Sequence, residues 1–490
     1  MSKQNSERPN ILIFMTDQHQ AQVIGQDHPC RTPNMDKFAS EGLRFTSTYT
    51  TMAHCCPARA SFMTGLYPSQ HGIYNNVNND QAINLSLNLG VETFSEKLKG
   101  AGYDLYYSGK WHVSNTENPS DRGWEEIFVG APAARKGKFT GSNRKSFLES
   151  KEWNLNDTIR GRGEILRPGW GTFKLYGTDE EGKTNADKKI LSLGLEKLEQ
   201  LGNHPNPWCL AISVNAPHDA FIMGEKYSKM YNPEDIELPP NYYDDMKDKP
   251  GIYRRMRKLW SQLTEEEVKE SIAHYWGFCT MVDDMFGQVL DTLDRISQRD
   301  NTLVIFVSDH GEHCGAHGIY CKGISSFDEG YRVPLVMRWP GKINNPGRSV
   351  DEFVTLMDIA PTLIEVTGAE QLNKCSGKSL MPFLRGEQPE DWRDAIYTQC
   401  NGVEIYYTSR TVKDKGYKYV YTPIDIDELY DLKNDPYEMK NLIDEPSMQD
   451  IKKQMIKKMW QKAFESEDTI FNRYITVALA DYGPGIIYEE

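Results

Sequence analysis

The sequence predicts an α/β protein: a large, mostly parallel sheet flanked by helices, with a smaller C-terminal α+β domain that contains an antiparallel sheet. Four short apolar runs bounded by polar turns predict strands of the large sheet, at residues 11–15, 210–214, 303–307 and 334–337. Runs that are apolar throughout suit strands buried on both faces, as in a parallel sheet covered by helices. Amphipathic stretches such as residues 91–101 and 281–296 lie between these runs and predict the covering helices.

The pattern of the chain changes after about residue 380. Residues 395–399, 404–407 and 418–421 have the pattern of antiparallel strands, and residues 447–466 have a helical pattern. We therefore expect two domains, a catalytic domain over residues 8–380 and an α+β subdomain over residues 381–490. Residues 136–182 are rich in Gly, Lys and Arg, and we expect them to form a long irregular insertion that helps to wall a site.

Composition excludes several classes of function. The chain has 490 residues, of which 39% are hydrophobic and 26% charged, as in ordinary globular proteins. Its net charge of −14 argues against a nucleic-acid partner or an anionic membrane surface, because both require a basic face. The nine cysteines include no CxxC pair, so neither a disulfide framework nor a zinc ribbon is indicated. No feature indicates an oligomeric state.

The first apolar run, residues 11–15, is too short for the core of a signal peptide or for a membrane span. The sequence as given therefore predicts a cytoplasmic protein. A periplasmic or secreted location is the expectation if a signal peptide has been removed.

Polar residues directly follow two of the predicted strands. Asp17 and Gln18 come after the first apolar run, and Asp309 and His310 come after the run at 303–307. Ligands of open α/β sheets bind at the carboxyl ends of the strands. We therefore expect both pairs at the same edge of the sheet. A single Asp after a strand is more often a turn or helix cap, but coincidence at all four positions is much less expected.

The most specific motif is Cys55-Cys56-Pro57-Ala58-Arg59, followed by Thr-Gly at residues 64–65. It resembles the maturation signature of the type I, formylglycine-dependent sulfatases of the alkaline-phosphatase-like superfamily. The resemblance implies that Cys55 is oxidised to formylglycine by a formylglycine-generating or an anaerobic sulfatase-maturating enzyme, and that Cys56 is the variable position. The hydrate would supply a nucleophilic oxygen, and Arg59 would orient it and offset its developing charge.

The same resemblance implies a metal site. It assigns Asp17, Gln18, Asp309 and His310, together with residue 55, as ligands of one divalent ion. Many sulfatases have Asp-Asp and Asp-Asn at these positions, whereas Asp-Gln and Asp-His also occur in the phosphonate monoester hydrolase and choline sulfatase branches. Oxygen ligands favour Ca²⁺, and the nitrogen ligand makes Mn²⁺ a serious competitor, with Mg²⁺ a further alternative.

Four further residues resemble the family's substrate-binding and proton-transfer groups. Lys110 and His112 stand in a Gly-Lys-Trp-His motif, Lys322 lies twelve positions after His310, and His218 follows Ala-Pro. The resemblance implies that both lysines bind sulfate, that His112 supports the formylglycine, and that His218 protonates the leaving group. Asn76 matches a family Asn near the site. Taken singly, a Lys or His in such a loop is more often solvated or capping.

The resemblance covers nearly the whole chain, with further matches at residues 8–12, 32–36, 283–287, 358–362, 428–432 and 435–436. It implies an alkaline-phosphatase-like fold and a sulfatase that hydrolyses a sulfate ester, with a sulfated saccharide as the family-level expectation. One alternative is a phosphonate monoester or phosphodiester hydrolase of the same superfamily, against which the Lys110 and His112 pair weighs. The other alternative is a non-catalytic protein that binds sulfoglycans.

Overall fold

The computed structural model describes residues 8–489 apart from 26, 80, 131–158, 168–170, 180–185, 404, 470, 472 and 473. The strands are β1 Asn10–Thr16, β2 Leu43–Phe45, β3 Thr48–Tyr49, β4 Asp104–Gly109, β5 Glu125–Val129, β6 Glu164–Arg167, β7 Gly171–Lys174, β8 Tyr176–Thr178, β9 Trp208–Ser213, β10 Phe221–Met223, β11 Thr302–Ser308, β12 Leu335–Arg338, β13 Arg348–Val350, β14 Val354–Thr355, β15 Ala395–Cys400, β16 Ser409–Asp414, β17 Tyr417–Tyr421 and β18 Glu428–Asp431.

The α-helices of the described residues surround these strands. They are α1 Pro33–Ser40, α2 Cys55–Thr64, α3 Pro68–His71, α4 Phe94–Gly100, α5 Ala186–Gln200, α6 Glu225–Ser228, α7 Gly251–Trp260, α8 Glu265–Arg295, α9 Asp328–Tyr331, α10 Ile359–Thr367, α11 Met381–Leu384 and α12 Gln449–Glu465. The predicted helix at 281–296 is the second half of the longer α8. None of the helices in the described part of the chain combines the length and the apolar character that crossing a bilayer requires.

The large sheet has eight strands in the order β13-β2-β12-β11-β1-β9-β4-β5. Strands β11, β1, β9, β4 and β5 are parallel, and β12 is antiparallel to both of its neighbours. All four predicted strands of this sheet are present, and β1, β9 and β11 are buried along their whole length. The prediction of a mostly parallel α/β sheet is therefore confirmed.

The central strand β1 contributes to a core on each face of the sheet. Leu12 and Phe14 pack in the core that includes α8, whereas Ile11 and Ile13 pack in the core that includes α2, α4 and α10. Because its side chains alternate between two apolar cores, β1 has no polar face. This arrangement explains the uniformly apolar run from which the strand was predicted.

The register of the parallel strands aligns their carboxyl ends. Thr16 of β1 lies opposite Ser308 of β11, and Ser213 of β9 lies opposite Gly109 of β4. The residues that follow these positions therefore leave the sheet at one edge. This edge receives chain segments that are far apart in the sequence.

The C-terminal sheet has the order β15-β16-β17-β18, is antiparallel throughout, and packs against α12. The predicted helix and the strands near residues 395 and 418 are confirmed, whereas the strand expected at 404–407 is wrong. The chain turns at Gly402, with φ 82°, and the described residues 405–407 form no strand. The strand lies instead at β16, whose polar residues the apolar pattern did not reveal. The domain division at residue 380 stays a prediction.

The expected irregular insertion is partly corrected. Residues 136–158 lie outside the described residues. Beyond them, β6 and β7 form an antiparallel hairpin, and β8 pairs in parallel with β10. Arg160 fixes this segment to α8, since its Nη1 and Nη2 donate to the Glu267 carboxylate at 2.7 and 2.6 Å. Side-chain pairing of this kind with a distant helix leaves no periodic signal in the sequence.

Candidate active site

The carboxyl edge of the large sheet gathers most of the residues expected there. Asp17 directly follows β1, Asp309 and His310 follow β11, and Cys55 is the first residue of α2. One ligand atom from each of these four side chains lies within 4.8 Å of each of the others, and all four side chains are buried. The parallel register of β1 and β11 produces this convergence.

Cys55 lies at the centre of the group. Its Sγ is 3.3 Å from His310 Nε2, 3.5 Å from Lys110 Nζ and 3.7 Å from Asp17 Oδ1. Burial alone would raise the pKa of the Cys55 thiol, but the positive charges of Lys110, Lys322 and His310 outweigh burial and lower it well below its usual value.

The neighbouring Cys56 has a different environment. Its Sγ accepts a hydrogen bond from the backbone N–H of Val77 at 3.5 Å, and burial raises the pKa of its thiol above the usual value. Two adjacent cysteines are thus separated by the direction of their side chains, because α2 turns only one of them toward the sheet edge.

Arg59 lies one turn further along α2 and is 1% exposed. Its Nε donates to Asp309 Oδ2 at 2.7 Å, and its Nη2 donates to Asp17 Oδ2 at 3.3 Å. Its Nη1 donates to Lys110 O and to Ser213 Oγ, both at 2.8 Å. The guanidinium therefore joins the ends of four strands and holds both carboxylates by one oxygen each.

Two lysines bring positive charge to the site. Lys110 follows β4, forms an ion pair with Asp17 and reaches Cys55. Lys322 donates from Nζ to Gln18 Oε1 at 2.6 Å and contacts His218 Nε2. Burial would lower the pKa of Lys322, but the negative charges of Cys55 and Asp17 raise it above its usual value.

Two histidines complete the predicted set. His218 follows β9, and its Nδ1 lies 2.6 Å from Asp219 O, so its Nε2 faces the Lys322 ammonium. Burial and Lys322 would lower the pKa of His218, whereas Asp17 and Asp219 outweigh them and raise it. His112 lies beside Cys55, and burial lowers its pKa although the interaction with Cys55 opposes this shift.

Asn76, which the resemblance assigns to substrate binding, contacts the start of α2. Its Oδ1 accepts a hydrogen bond from the backbone N–H of Cys56 at 3.0 Å. Asn76 therefore supports the first turn of α2, and with it the position of Cys55. A direct contact of Asn76 with substrate stays a prediction.

Sequence reasoning missed two acids at this edge. Gln18 Nε2 donates to Asp219 Oδ1 at 2.9 Å and also to Glu312 Oε2. Both acids follow predicted site residues closely, Asp219 one position after His218 and Glu312 two positions after His310. Their position shortly after strand ends was a signal that could have found them. The sulfatase-like motifs, however, assign a role to His218 and His310 and none to Asp219 or Glu312.

Two carboxylates, an imidazole and a thiol converge at the carboxyl edge of the parallel sheet and could hold a metal ion. Two ammonium groups beside them suit an anionic ligand, so the fold and the site are those of an α/β enzyme that acts on an anionic group. The model of the sulfatase family matches residues 9–369, and the model of the N-sulphoglucosamine sulphohydrolase C-terminal region matches residues 315–465. The chain belongs to the sulfatase family, within the alkaline-phosphatase-like superfamily, and is a sulfuric ester hydrolase.

Curated relatives resemble this chain over most of their length. The uncharacterized sulfatase YidJ of Escherichia coli K12 is 30% identical over 469 residues, which covers 92% of this chain and 86% of the relative. The N-acetylglucosamine-6-O-sulfatase of Bacteroides thetaiotaomicron is 25% identical over 514 residues, covering 90% and 83%. The multifunctional alkaline phosphatase superfamily protein PehA of Trinickia caryophylli is 29% identical over 492 residues, covering 90% and 92%.

Two solved structures show the fold. The phosphonate monoester hydrolase of Agrobacterium radiobacter superposes with a TM-score of 0.75 at 24% identity, covering 94% of this chain and 96% of its own. BT4656, solved with its substrate D-glucosamine-2-N,6-O-disulfate, superposes with a TM-score of 0.71 at 21% identity, covering 94% and 99%. The predicted fold class and family are both confirmed.

Proposed function

We propose that this chain hydrolyses a sulfate ester carried by a carbohydrate, with a formylglycine formed from Cys55 and one divalent metal ion as its reactive groups. The observation that carries the proposal is the surroundings of Cys55 Sγ, which lies 3.3–3.7 Å from His310, Lys110 and Asp17. The sulfur stands in for the oxygens that residue 55 would carry after oxidation and hydration. Those oxygens would lie between the expected metal ligands and a cation.

The carbohydrate part of the proposal is supported by the relatives. One is named an N-acetylglucosamine-6-O-sulfatase, and two others are named ulvan-active sulfatases. The match of residues 315–465 to a sulphoglucosamine sulphohydrolase model points to the same class of substrate. The sugar, the linkage and the position of the sulfate remain to be found by screening.

The residues present fit a divalent ion. Arg59 binds Asp17 and Asp309 by their Oδ2 atoms, which leaves Oδ1 of each carboxylate 3.4 and 3.7 Å from His310 Nε2. His310 Nδ1 donates to Gly311 O at 2.9 Å, so Nε2 is the nitrogen that faces these oxygens and that would bind a metal ion in the neutral imidazole. Two carboxylate oxygens and an imidazole nitrogen therefore converge, and the Gln18 carbonyl would complete the set.

When bound, the metal ion would polarise the reacting oxygens, and the formylglycine hydrate would supply the nucleophile and release sulfate by returning to the aldehyde. We favour Ca²⁺ because most donors are oxygens, with Mn²⁺ or Mg²⁺ as alternatives.

The side chains of this protein would perform the remaining steps. Lys110 and Lys322 would neutralise the sulfate oxygens, and preorganised donors of this kind contribute about 10²–10³-fold each. His218 would protonate the departing alcohol oxygen, a contribution of about 10²–10⁴-fold. Its Nδ1 is engaged with the Asp219 carbonyl, so Nε2 would be the nitrogen that delivers the proton, once the Lys322 ammonium binds the sulfate instead of this nitrogen.

The proposal is tested by producing the protein with and without a formylglycine-generating or anaerobic sulfatase-maturating enzyme. Peptide mass spectrometry of the segment around Cys55 measures the modification, and sulfate release from sulfated mono- and disaccharides measures activity. We expect activity in proportion to the modified fraction. Unmodified cysteine together with tight sulfoglycan binding and no sulfate release would instead support the non-catalytic alternative.

A second candidate activity is hydrolysis of phosphonate monoesters or phosphodiesters. The observation that favours it is the combination of Gln18 and His310 at the metal edge, which resembles the phosphonate monoester hydrolase branch. Lys110 weighs against it, because its ammonium group reaches Cys55 as the sulfatase-like motif requires. Parallel assays with an aryl sulfate and an aryl phosphonate monoester decide, and a higher kcat/KM for the phosphonate would replace the proposed activity.

A further inference from the structure

Gln18 has two carboxylates at one end of its side-chain amide and a lysine at the other. We propose that Glu312 and Asp219 are positioning residues for this amide. They would hold its carbonyl oxygen toward the residues expected to bind the metal ion and the sulfate. The inference rests on the proposed function, because it explains how one of the expected metal ligands is oriented. It assigns a role to two acids that are not among the site residues implied by the sulfatase resemblance.

The orientation of the amide follows from its partners. The Lys322 ammonium can only donate, so the atom 2.6 Å from its Nζ is the carbonyl oxygen of Gln18. The amide nitrogen then faces Asp219 Oδ1 at 2.9 Å and Glu312 Oε2. Each of its two N–H groups has one carboxylate acceptor. A rotation of the amide by 180° would place the carbonyl oxygen against two carboxylates and the N–H groups against an ammonium.

Glu312 is itself held firmly and is 0% exposed. Its Oε1 accepts the backbone N–H groups of Cys314 at 2.8 Å and Cys321 at 2.6 Å. Its backbone carbonyl accepts from Gln20 Nε2 at 2.6 Å. Because Oε1 is occupied by two backbone donors, only Oε2 is available to Gln18. The segment after β11 thus provides a fixed acceptor for the residue after β1.

The backbone of Gln18 is fixed as well. Its N–H donates to Asp309 Oδ1 at 3.2 Å, its carbonyl accepts from Tyr275 Oη at 2.9 Å, and its φ of 66° lies in the left-handed region. A non-glycine residue keeps such a conformation only where its surroundings demand it. Backbone and side chain of this residue are therefore both positioned by buried partners.

The chain of contacts extends to the groups expected to handle the substrate. Glu312 and Asp219 orient Gln18, Gln18 Oε1 accepts from Lys322, and Lys322 contacts His218. The arrangement also explains why an amide stands at position 18. A carboxylate there would keep Lys322 on one oxygen but would turn its other oxygen toward Asp219 and Glu312, where like charges repel and no N–H group would remain to donate to them.

The test uses the isosteric change Glu312→Gln. Oε1 of the new amide would keep the two backbone donors, so its nitrogen would face the nitrogen of Gln18, and two donors would meet. We expect the affinity for Ca²⁺ or Mn²⁺, measured by calorimetry without substrate, to fall about 10- to 100-fold. Glu428→Gln is the matched control, since Glu428 is an equally buried carboxyl whose partners are Tyr253 and Tyr430.

A double-mutant cycle isolates the pair. In the Glu312→Gln background, Gln18→Glu would restore one donor and one acceptor. We therefore compare the effect of Gln18→Glu on metal affinity in the two backgrounds. The ratio of mutant to parent affinity should be about tenfold higher in the Glu312→Gln background than in the wild type. Additive effects within error, or wild-type affinity in Glu312→Gln, would overturn the inference. Asp219→Leu removes the other acceptor and is the second variant if Glu312→Gln does not fold, with the same loss expected.

Failure of the inference can be told apart from failure of the proposed function. A wild-type protein that binds no divalent ion overturns both. Wild-type binding that Glu312→Gln and Asp219→Leu leave unchanged overturns the positioning role alone. Normal metal binding without sulfate release counts against the proposed activity and leaves the positioning role supported by the affinities.

Discussion

Two buried groups of charged side chains in this molecule differ in how their charged atoms are paired. The site cluster consists of Asp17, Arg59, Lys110, Asp309 and His310. The interface cluster consists of Asp328, Lys413, Lys418 and Glu438 and lies between α9 and the C-terminal sheet. Lys413 Nζ binds both oxygens of Asp328 at 2.5 and 2.6 Å, and Lys418 pairs with Glu438 while donating to Ser326 O at 2.8 Å.

The two clusters differ in the direction of the side-chain atoms that are not engaged in ion pairs. In the interface cluster each ammonium is paired with a carboxylate, as expected of buried charges that hold two parts of a fold in register. In the site cluster Arg59 takes one oxygen of each acid, and the remaining atoms converge on Cys55. Burial and charge alone therefore do not mark a functional site, whereas the convergence of several ligand atoms on one point does.

The largest effect should separate the two adjacent cysteines of α2. Under the proposed function, Cys55→Ala removes the residue that would become the nucleophile and should abolish sulfate release. Cys56→Ala removes a thiol whose contact is the backbone N–H of Val77 and should retain most of the activity. Both are measured as kcat/KM on a sulfate ester after co-expression with a maturation enzyme. The reverse result would move the nucleophile to Cys56.

Within the interface cluster, Lys418→Met should act on stability. It leaves Glu438, 2% exposed, without its cation. Breaking a buried pair by removing one partner costs about 3–5 kcal/mol in the free energy of unfolding. Urea unfolding measures this loss, and kcat/KM of the folded variant should match the wild type. A Lys418→Met variant with the stability of the wild type would contradict a structural role for the interface cluster.

Within the site cluster and its neighbours, the opposite pattern is expected from Lys322→Ala. If Lys322 stabilises the transition state as proposed, its loss should lower kcat/KM about 10²–10³-fold. The free energy of unfolding should fall by less than in Lys418→Met, because Lys322 hydrogen-bonds to the neutral side chain of Gln18 and contacts His218, so its removal leaves an unpaired acceptor, at about 1–3 kcal/mol, rather than a buried carboxylate without its cation. The exposed Lys342→Ala serves as control. If Lys322→Ala lost as much free energy of unfolding as Lys418→Met, the proposed difference between the two clusters would be wrong.

The smallest effect concerns Glu428, which lies beside the interface cluster. Burial raises its pKa from 4.5 to about 7, although Tyr430 and Lys418 oppose the shift. The folded state then binds more protons than the unfolded state between pH 4.5 and 7, so stability falls as pH rises through this window. Relative to Glu428→Gln, the wild type should lose about 3 kcal/mol between pH 4.5 and 8. A pH-independent difference in urea unfolding would contradict this.

The sequence made the large sheet predictable because its strands are apolar on both faces. The same rule failed at β16, where Arg410 and Lys413 are buried yet charged. Arg410 pairs with Asp468, 58 positions away, and Lys413 pairs with Asp328, 85 positions away. A pattern of polar residues predicts an exposed segment unless these distant partners are known.

The site divides in the same way. Asp17, Asp309 and His310 were predictable because each follows a buried run and the carboxyl ends of parallel strands share an edge. The contact of Glu312 with Gln18 spans 294 positions and depends on the path of the chain after β11. Asn76 matched a motif, but its hydrogen bond to the backbone of Cys56 depends on the fold of α2 and could not be predicted from the motif.

The pairing of β1 with β11 also sets an order of events during synthesis. Cys55 and His310 are 255 positions apart, so about 10–50 s of translation separate them at usual rates. During that interval β1 lacks β11, although β9 can already pair with it, and the edge that α2 contacts still lacks Asp309 and His310. Under the proposed function, a maturation enzyme has this period in which to reach a thiol that is 1% exposed once the chain has folded. The yield of active protein would then depend on two rates, the oxidation of Cys55 by the maturation enzyme and the synthesis and pairing of β11.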